Sequence, residues 1–124
     1  MKIILTHEES EKYFHNALCN GLDYITGYGI DVDFDDAAYK AARAKLDSPC
    51  FEDVLLQLLK DGGSLTITDS EGGVDAVIIT INDVHERVQN TPFNHLSDMI
   101  NENDDADTAD VILQTVIYNE VIFG

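Results

Sequence analysis

The chain has 124 residues, of which 44% are hydrophobic, and this composition predicts a globular domain rather than a disordered acidic tail. Twenty-four acidic residues against seven basic ones give a formal net charge of −17, which disfavours direct binding to nucleic acid or to an anionic membrane. No apolar run approaches the ~18 residues of a membrane helix, and the N-terminal residues do not resemble a secretory signal. The predicted location is therefore the cytoplasm.

The charge is unevenly distributed along the chain. Residues 1–60 carry eleven acids and six bases, whereas residues 61–124 carry thirteen acids and one base, Arg87. Three interpretations are open: the acids imitate a phosphate backbone, they attract a metal or a basic partner, or they keep the protein soluble.

The N-terminal quarter predicts a strand followed by a capped helix. Residues 2–5 form a short apolar strand candidate, and the spacing of Thr6 and Glu9 matches a capping box. The helix is predicted to stop at Asn20-Gly21, where glycine is an ordinary C-terminal signal. Beyond it, residues 24–29 hold two tyrosines flanked by glycines, a composition typical of a loop that contacts either a ligand or the core.

Residues 30–63 predict one strand and two helices. Residues 30–35 alternate between apolar and acidic side chains, which is typical of a strand with one buried face and three carboxylates on the other. Asp35 or Asp36 is predicted to cap an alanine-rich helix. Ser48-Pro49 begins a second, core-facing helix that Gly62-Gly63 ends.

The remaining residues predict a hairpin and three helices. The hairpin strands are residues 65–69 and 74–81, joined by a glycine-rich turn. The helices are predicted to begin at Asn82 or Asp83, at Thr91-Pro92 with Phe93 facing inward, and before Ala109. Residues 121–123 are a terminal strand candidate. Together the elements predict a single α+β domain over residues 1–124, with a small, mostly antiparallel sheet and several helices packed on it.

The sequence carries no signature of a catalytic site, a metal site or a cofactor site. It contains no GxSxG, Walker or GxGxxG motif, and the alternating acids from Asp31 lack the glycine that a calcium loop needs. Cys19 and Cys50 are predicted to lie in the core. No catalytic residue, metal or cofactor is therefore predicted, although the many carboxylate pairs leave a hydrolase as an open alternative.

Residues 82–95 form a further candidate site. They combine two histidines, two amides and Arg87 around a Thr-Pro helix start, and helix N termini favour anions. Arg87 is expected either to bind a phosphate or to pair with one of the neighbouring carboxylates.

Three segments of the chain resemble a family of small uncharacterised proteins of tailed bacteriophages. They are residues 17–25 (ALCNGLDYI), 52–63 (EDVLLQLLKDGG) and 105–124. The family's first segment resembles Gly-Gly-x-x-Tyr-Trp; here the tyrosine and one glycine remain, and Ile25 replaces the tryptophan. The resemblance implies a phage origin more than an activity. Because small phage proteins that are neither structural nor replicative often counter host defence, the chain is predicted to be a non-enzymatic binding protein that inhibits a host antiviral defence system.

Two binding modes suit such a protein. In the first, it sequesters a small nucleotide-derived signal, with tyrosines stacking on the base and polar groups binding phosphate and sugar. The predicted ligand residues are Gly21, Tyr24, Tyr28, Arg87, Asn94 and Gln114. This mode is preferred because the resembling segments share glycine, aromatic and apolar residues rather than acids.

In the second mode, the protein is an acidic DNA mimic that blocks a DNA-binding defence or restriction complex. Its predicted contacts are Asp104, Asp105 and Asp107. An accessory phage protein without a ligand is a further alternative. A homo-oligomer is also predicted. The first strand and the segment 121–123 either offer edges that pair between chains or pair within the chain.

Overall fold

Over residues 3–123, which the computed structural model describes, the chain forms six α-helices and one antiparallel three-stranded sheet. The helices are α1 (His7–Gly27), α2 (Asp36–Ala44), α3 (Phe51–Lys60), α4 (Ile81–Arg87), α5 (Phe93–Ile100) and α6 (Ala106–Tyr118). The strands are β1 (Ile30–Asp33), β2 (Leu65–Asp69) and β3 (Val77–Ile79), in the order β1-β2-β3. The predicted α+β fold is confirmed. No helix in these residues is long and apolar enough to cross a membrane.

The capping box of α1 is confirmed, but the predicted end of this helix is wrong. Thr6 Oγ1 accepts a hydrogen bond from the Glu9 amide at 3.1 Å, and Glu9 Oε1 accepts one from the Thr6 amide at 2.9 Å. The helix then continues through Gly21 to Gly27. A Cβ atom at position 21 would lie 2.8 Å from the Cβ of Ala109, so this glycine permits close packing of α1 on α6.

The sheet has one covered face and one open face. The inward side chains are buried against α1, α3 and α6; they are Ile30, Leu65, Ile67 and Ile79. On the opposite face, Asp31, Asp33 and Ile78 are exposed. The pairing aligns Asp33 with Thr66 of β2, and Thr66 with Ile78 of β3. A polar, acidic surface therefore begins at the β1 edge of the open face.

The predicted hairpin of β2 and β3 is confirmed, but two strands are shorter than predicted. The second strand of the hairpin covers residues 77–79 rather than 74–81. The strand β1 ends at Asp33 because Asp35 turns to cap α2, accepting a hydrogen bond from the Ala38 amide at 2.9 Å. Of the two predicted caps, Asp35 and Asp36, Asp35 is the one observed.

Two other helix starts lie away from their predicted caps. The cap of α3 is Cys50 rather than Ser48, and the cap of α4 is Thr80 rather than Asn82 or Asp83. In each case the backbone N–H of the cap donates to an aspartate three residues later: to Asp53 at 3.1 Å and to Asp83 at 2.8 Å. The reciprocal capping bond therefore selects the start of the helix.

The two ends of the described chain form no strand. The Leu5 amide donates to Gln89 Oε1 at 3.1 Å, and the Ile122 and Phe123 amides both donate to Gln114 Oε1 at 2.8 Å. At both ends, a glutamine side chain thus accepts the backbone hydrogen bonds that a neighbouring strand would accept in the predicted sheet. Lys2, the first residue of the predicted N-terminal strand, lies outside the described residues.

The net charge predicts that salt stabilises the fold. Ion pairs within residues 3–123 involve only four of the carboxylates: Glu11, Asp53, Asp61 and Asp83. We expect the melting temperature to rise between about 20 mM and about 500 mM NaCl, because salt screens repulsion among the remaining acids. Thermal unfolding at constant pH measures this. The effect should shrink near the isoelectric point, and a fall in melting temperature with salt at neutral pH would contradict it.

Candidate functional site

Three of the six predicted ligand residues meet at one aspartate of α6, Asp110. The hydroxyl of Tyr28 donates to Asp110 Oδ2 at 3.1 Å, and Gln114 Nε2 donates to Asp110 Oδ1 at 3.0 Å. A Cβ atom at Gly21 would lie 3.1 Å from the Asp110 amide nitrogen. Asp110 is not among the residues predicted from the sequence. One sequence feature does point to it: α6 is apolar on nearly all sides, so its polar residues must be buried as well.

A shallow cavity lies beside this cluster, at the C-terminal end of α1. It has a volume of about 340 Å³ and is lined by Asp23, Tyr24, Gly27 and Tyr28. We call it the tyrosine pocket. Tyr24, a fourth predicted ligand residue, is 43% exposed and lies one helical turn before Tyr28.

Gln114 is fully buried and serves the fold. Its Nε2 donates to Asp110 and to the carbonyl oxygen of Phe123, each at 3.0 Å. Its Oε1 accepts from the amides of Ile122 and Phe123. Both amide hydrogens and both oxygen lone pairs are therefore used, and the side chain fixes the C-terminal segment rather than facing a ligand.

Tyr28 lies between that C-terminal segment and the pocket. Its ring stacks on Phe123 with 5.2 Å between centroids and 12° between planes. Burial raises the pKa of the Tyr28 hydroxyl above its ordinary value, and the hydrogen bond to Asp110 raises it further. At neutral pH the hydroxyl is therefore a protonated donor, which is how it holds Asp110.

The tyrosine pocket is surrounded by an excess of negative charge. Asp23 lines it, Asp107 is close enough to raise the pKa of Tyr28, and Asp110 is only 7% exposed. No basic residue lies in the last turn of α1, whose C-terminal end carries the negative end of the helix dipole. None of the ion pairs within residues 3–123 involves these three aspartates. Such a pocket favours a cation and repels a phosphate.

Arg87 and Asn94 do not line this pocket. Arg87 Nη1 donates to the carbonyl oxygens of Val116 and Ile117 at 3.0 and 3.2 Å, and its Nη2 lies 3.6 Å from Asp83 Oδ1. Of the two expectations for Arg87, pairing with a carboxylate is the one observed. Asn94 is exposed on α5. The six predicted ligand residues therefore do not form one site.

The predicted mimic residues lie together at the start of α6. Asp105 caps the helix by accepting a hydrogen bond from the Thr108 amide at 2.9 Å, and this bond holds the pKa of the carboxyl below its usual range. Asp104 accepts from Asn20 Nδ2 at 3.4 Å, and Asp107 is exposed in the first turn. These charges therefore also serve the helix start.

A second group of acids is arranged more regularly. Asp31, Asp33 and Asp35 are exposed along and just beyond β1, and we call them the carboxylate row. Alternate residues of a strand point to one face about 6.6 Å apart. No member of the row takes part in an ion pair within the described chain. The sequence predicted these acids on the exposed face of a strand, but calcium was the only ligand weighed for them.

Cys19 and Cys50 are exposed, contrary to the prediction that both lie in the core. Cys50 is drawn to the surface as the cap of α3. Cys19 Sγ lies 3.9 Å from His15 Nε2, but the same nitrogen lies 2.6 Å from Asp53 Oδ1. A nucleophile–histidine–carboxylate triad needs both ring nitrogens, so this group has the wrong geometry. Although the residue is exposed, partial desolvation of its Sγ, together with neighbouring acids, raises the pKa of the Cys19 thiol, which further weakens it as a nucleophile.

Only part of the candidate site at residues 82–95 lines a groove. A cavity of about 380 Å³ is lined by Ile3, Leu96 and residues 89–93. Phe93, predicted to face inward, is 53% exposed at its rim because α5 turns Leu96 and Met99 to the core instead.

In the part of the chain that the structure describes, no group of three or more His, Cys, Asp or Glu residues is placed to hold a metal ion. Comparison of the chain with protein-family models, curated proteins and solved structures gives no match.

Proposed function

We propose that this protein is a non-enzymatic binding protein that docks, through the carboxylate row, on a basic surface of a partner that otherwise binds DNA. The observation that carries the proposal is the exposure of Asp31 and Asp33 at regular spacing on the open face of the sheet. A strand holds alternate carboxylates about 6.6 Å apart, so the row repeats its charge about once for every two 3.4 Å rises along the axis of a DNA duplex. The partner would be a host defence or restriction complex.

The electrostatics support this function over sequestration of a nucleotide. A phosphate entering the tyrosine pocket would meet Asp23, Asp107 and the end of α1 without a neutralising base. Arg87, the one base predicted to bind a phosphate, is occupied by the end of α6. A basic protein surface would instead be attracted by the net charge of −17.

The experiment that tests this function is displacement of DNA. The probe is a type I restriction complex bound to a fluorescent DNA duplex, with a histone-like nucleoid protein as a second DNA binder. The protein is expected to displace the DNA from at least one of them. Displacement should weaken about ten-fold or more between about 50 and about 200 mM salt.

The matched variants locate the contact. Asp31→Asn with Asp33→Asn is expected to weaken displacement about ten-fold, because two interface charges are lost. Glu86→Gln with Asp98→Asn removes the same charge from exposed helix positions and should have little effect. Equal losses in both pairs would show that only net charge matters and would overturn the row as the contact. No displacement of DNA from either binder would overturn the function.

A further inference from the structure

The tyrosine pocket and the carboxylate row are neighbours in the chain. Tyr28 precedes Asp31 by three residues, so their Cα atoms are at most about 11 Å apart. A partner that lies on the row is therefore within reach of the pocket. The row offers charge on a flat face, whereas the pocket is concave.

The aromatic walls of the pocket suit a cation. Tyr24 and Tyr28 are four residues apart at the end of α1, a spacing that places side chains on the same side of a helix. The ring of Tyr28 has one face against Phe123, and Tyr24 is the more exposed of the two. Tyrosine faces attract ammonium and guanidinium groups, and most strongly where water is partly excluded.

The buried carboxylate that accepts the hydrogen bond from Tyr28 adds to the attraction. Asp110 has only neutral donors, Tyr28 and Gln114, for its hydrogen bonds. A carboxylate buried at 7% exposure is ordinarily balanced by a cation, and within residues 3–123 no lysine or arginine pairs with it. Asp23 at the rim and the end of α1 act in the same direction.

We infer that the tyrosine pocket receives one arginine or lysine side chain of the partner polypeptide and so anchors the interface that the carboxylate row attracts. This inference rests on the proposed function. The cavity of about 340 Å³ has room for a guanidinium or an ammonium head, and its shallow shape leaves it open to the chain that carries that head. The carboxylate row would then set the rate of association, and the pocket would set the lifetime of the complex.

The test is a titration of the ¹⁵N-labelled protein with an acetylated and amidated Gly-Arg-Gly peptide. The expected result is millimolar binding, with amide shifts concentrated in residues 23–28 and 107–110. The same peptide with citrulline, a neutral analogue of arginine, should bind at least five-fold more weakly. Tyr24→Leu should weaken arginine-peptide binding about five-fold, whereas Phe93→Leu, which alters another exposed aromatic residue, should not.

Two failures of this test are distinguishable. If the arginine peptide does not shift residues 23–28, or the citrulline peptide binds equally well, the anchor is overturned while DNA displacement can still stand. If the arginine peptide binds as expected but no DNA is displaced, the proposed function is overturned and the pocket remains a site for a basic side chain. Binding of adenosine monophosphate with the same shifts would overturn the cationic preference.

Discussion

Gly21→Ala is expected to destabilise the protein by about 1–3 kcal/mol, although glycine-to-alanine changes inside helices usually stabilise by about 1 kcal/mol. The added Cβ would lie 2.8 Å from Ala109 Cβ, 3.0 Å from the Ala109 carbonyl carbon and 3.1 Å from the Asp110 amide nitrogen. Two of these three atoms belong to the backbone and cannot rotate away. The helices α1 and α6 must therefore separate, and the loss appears as a lower free energy of unfolding in urea.

Gly27→Ala is the matched control, because it lies in the same helix and nothing lies within 4 Å of its added Cβ. It should be neutral or stabilise by less than about 1 kcal/mol. Combining Gly21→Ala with Ala109→Gly should recover part of the loss, since one of the three close contacts is removed. Unfolding free energies of Gly21→Ala at or above the wild-type value would show that the interface between α1 and α6 is looser than described.

Gln114→Met is expected to cost about 2–3 kcal/mol and to release the C-terminal segment. Methionine keeps the shape of the buried side chain but removes four hydrogen bonds, which leaves Asp110, Ile122 and Phe123 short of partners. Hydrogen exchange should show loss of protection at the amides of Ile122 and Phe123. Because Phe123 stacks on Tyr28, we also expect weaker binding of the arginine peptide.

Thr115→Val provides the comparison for this second change. Thr115 is equally buried on α6, but its hydroxyl only donates back to the Val111 carbonyl oxygen at 2.7 Å. Hydroxyl bonds of this kind contribute little to a helix, so the change should cost less than about 1 kcal/mol. If Gln114→Met leaves the amides of Ile122 and Phe123 protected, the glutamine does not hold that segment.

Features that depend on neighbouring residues were predictable. The capping box at Thr6 and Glu9 joins residues three positions apart, and the hairpin of β2 and β3 is encoded by its turn. The starts of α3 and α4 were missed because several polar residues competed for the cap. The aspartate three positions downstream, rather than the first available serine or asparagine, decided between them.

Features that depend on distant residues were not predictable in the same way. The pair Asn20-Gly21 is typical of a helix end. The observed role of Gly21, close packing between helices, depends on Ala109 in a different helix. Tyr28 and Gln114 were both predicted as ligand residues of one site, but their connection through a shared hydrogen-bond partner was not predicted. The residue that joins them, Asp110, was hidden among the many acids of the second half. The bonds of Arg87 to two carbonyl oxygens of α6 were not predicted, because backbone acceptors leave no mark in the sequence.

The contact of Gly21 with Ala109 also bears on the synthesis of the chain. The two positions are 109 − 21 = 88 residues apart. At about 5–20 residues per second, α6 emerges about 4–18 s after the part of α1 that it covers. During that interval the side of α1 that packs on α6 lacks this partner, so the nascent protein is more exposed to chaperones and to aggregation until α6 arrives.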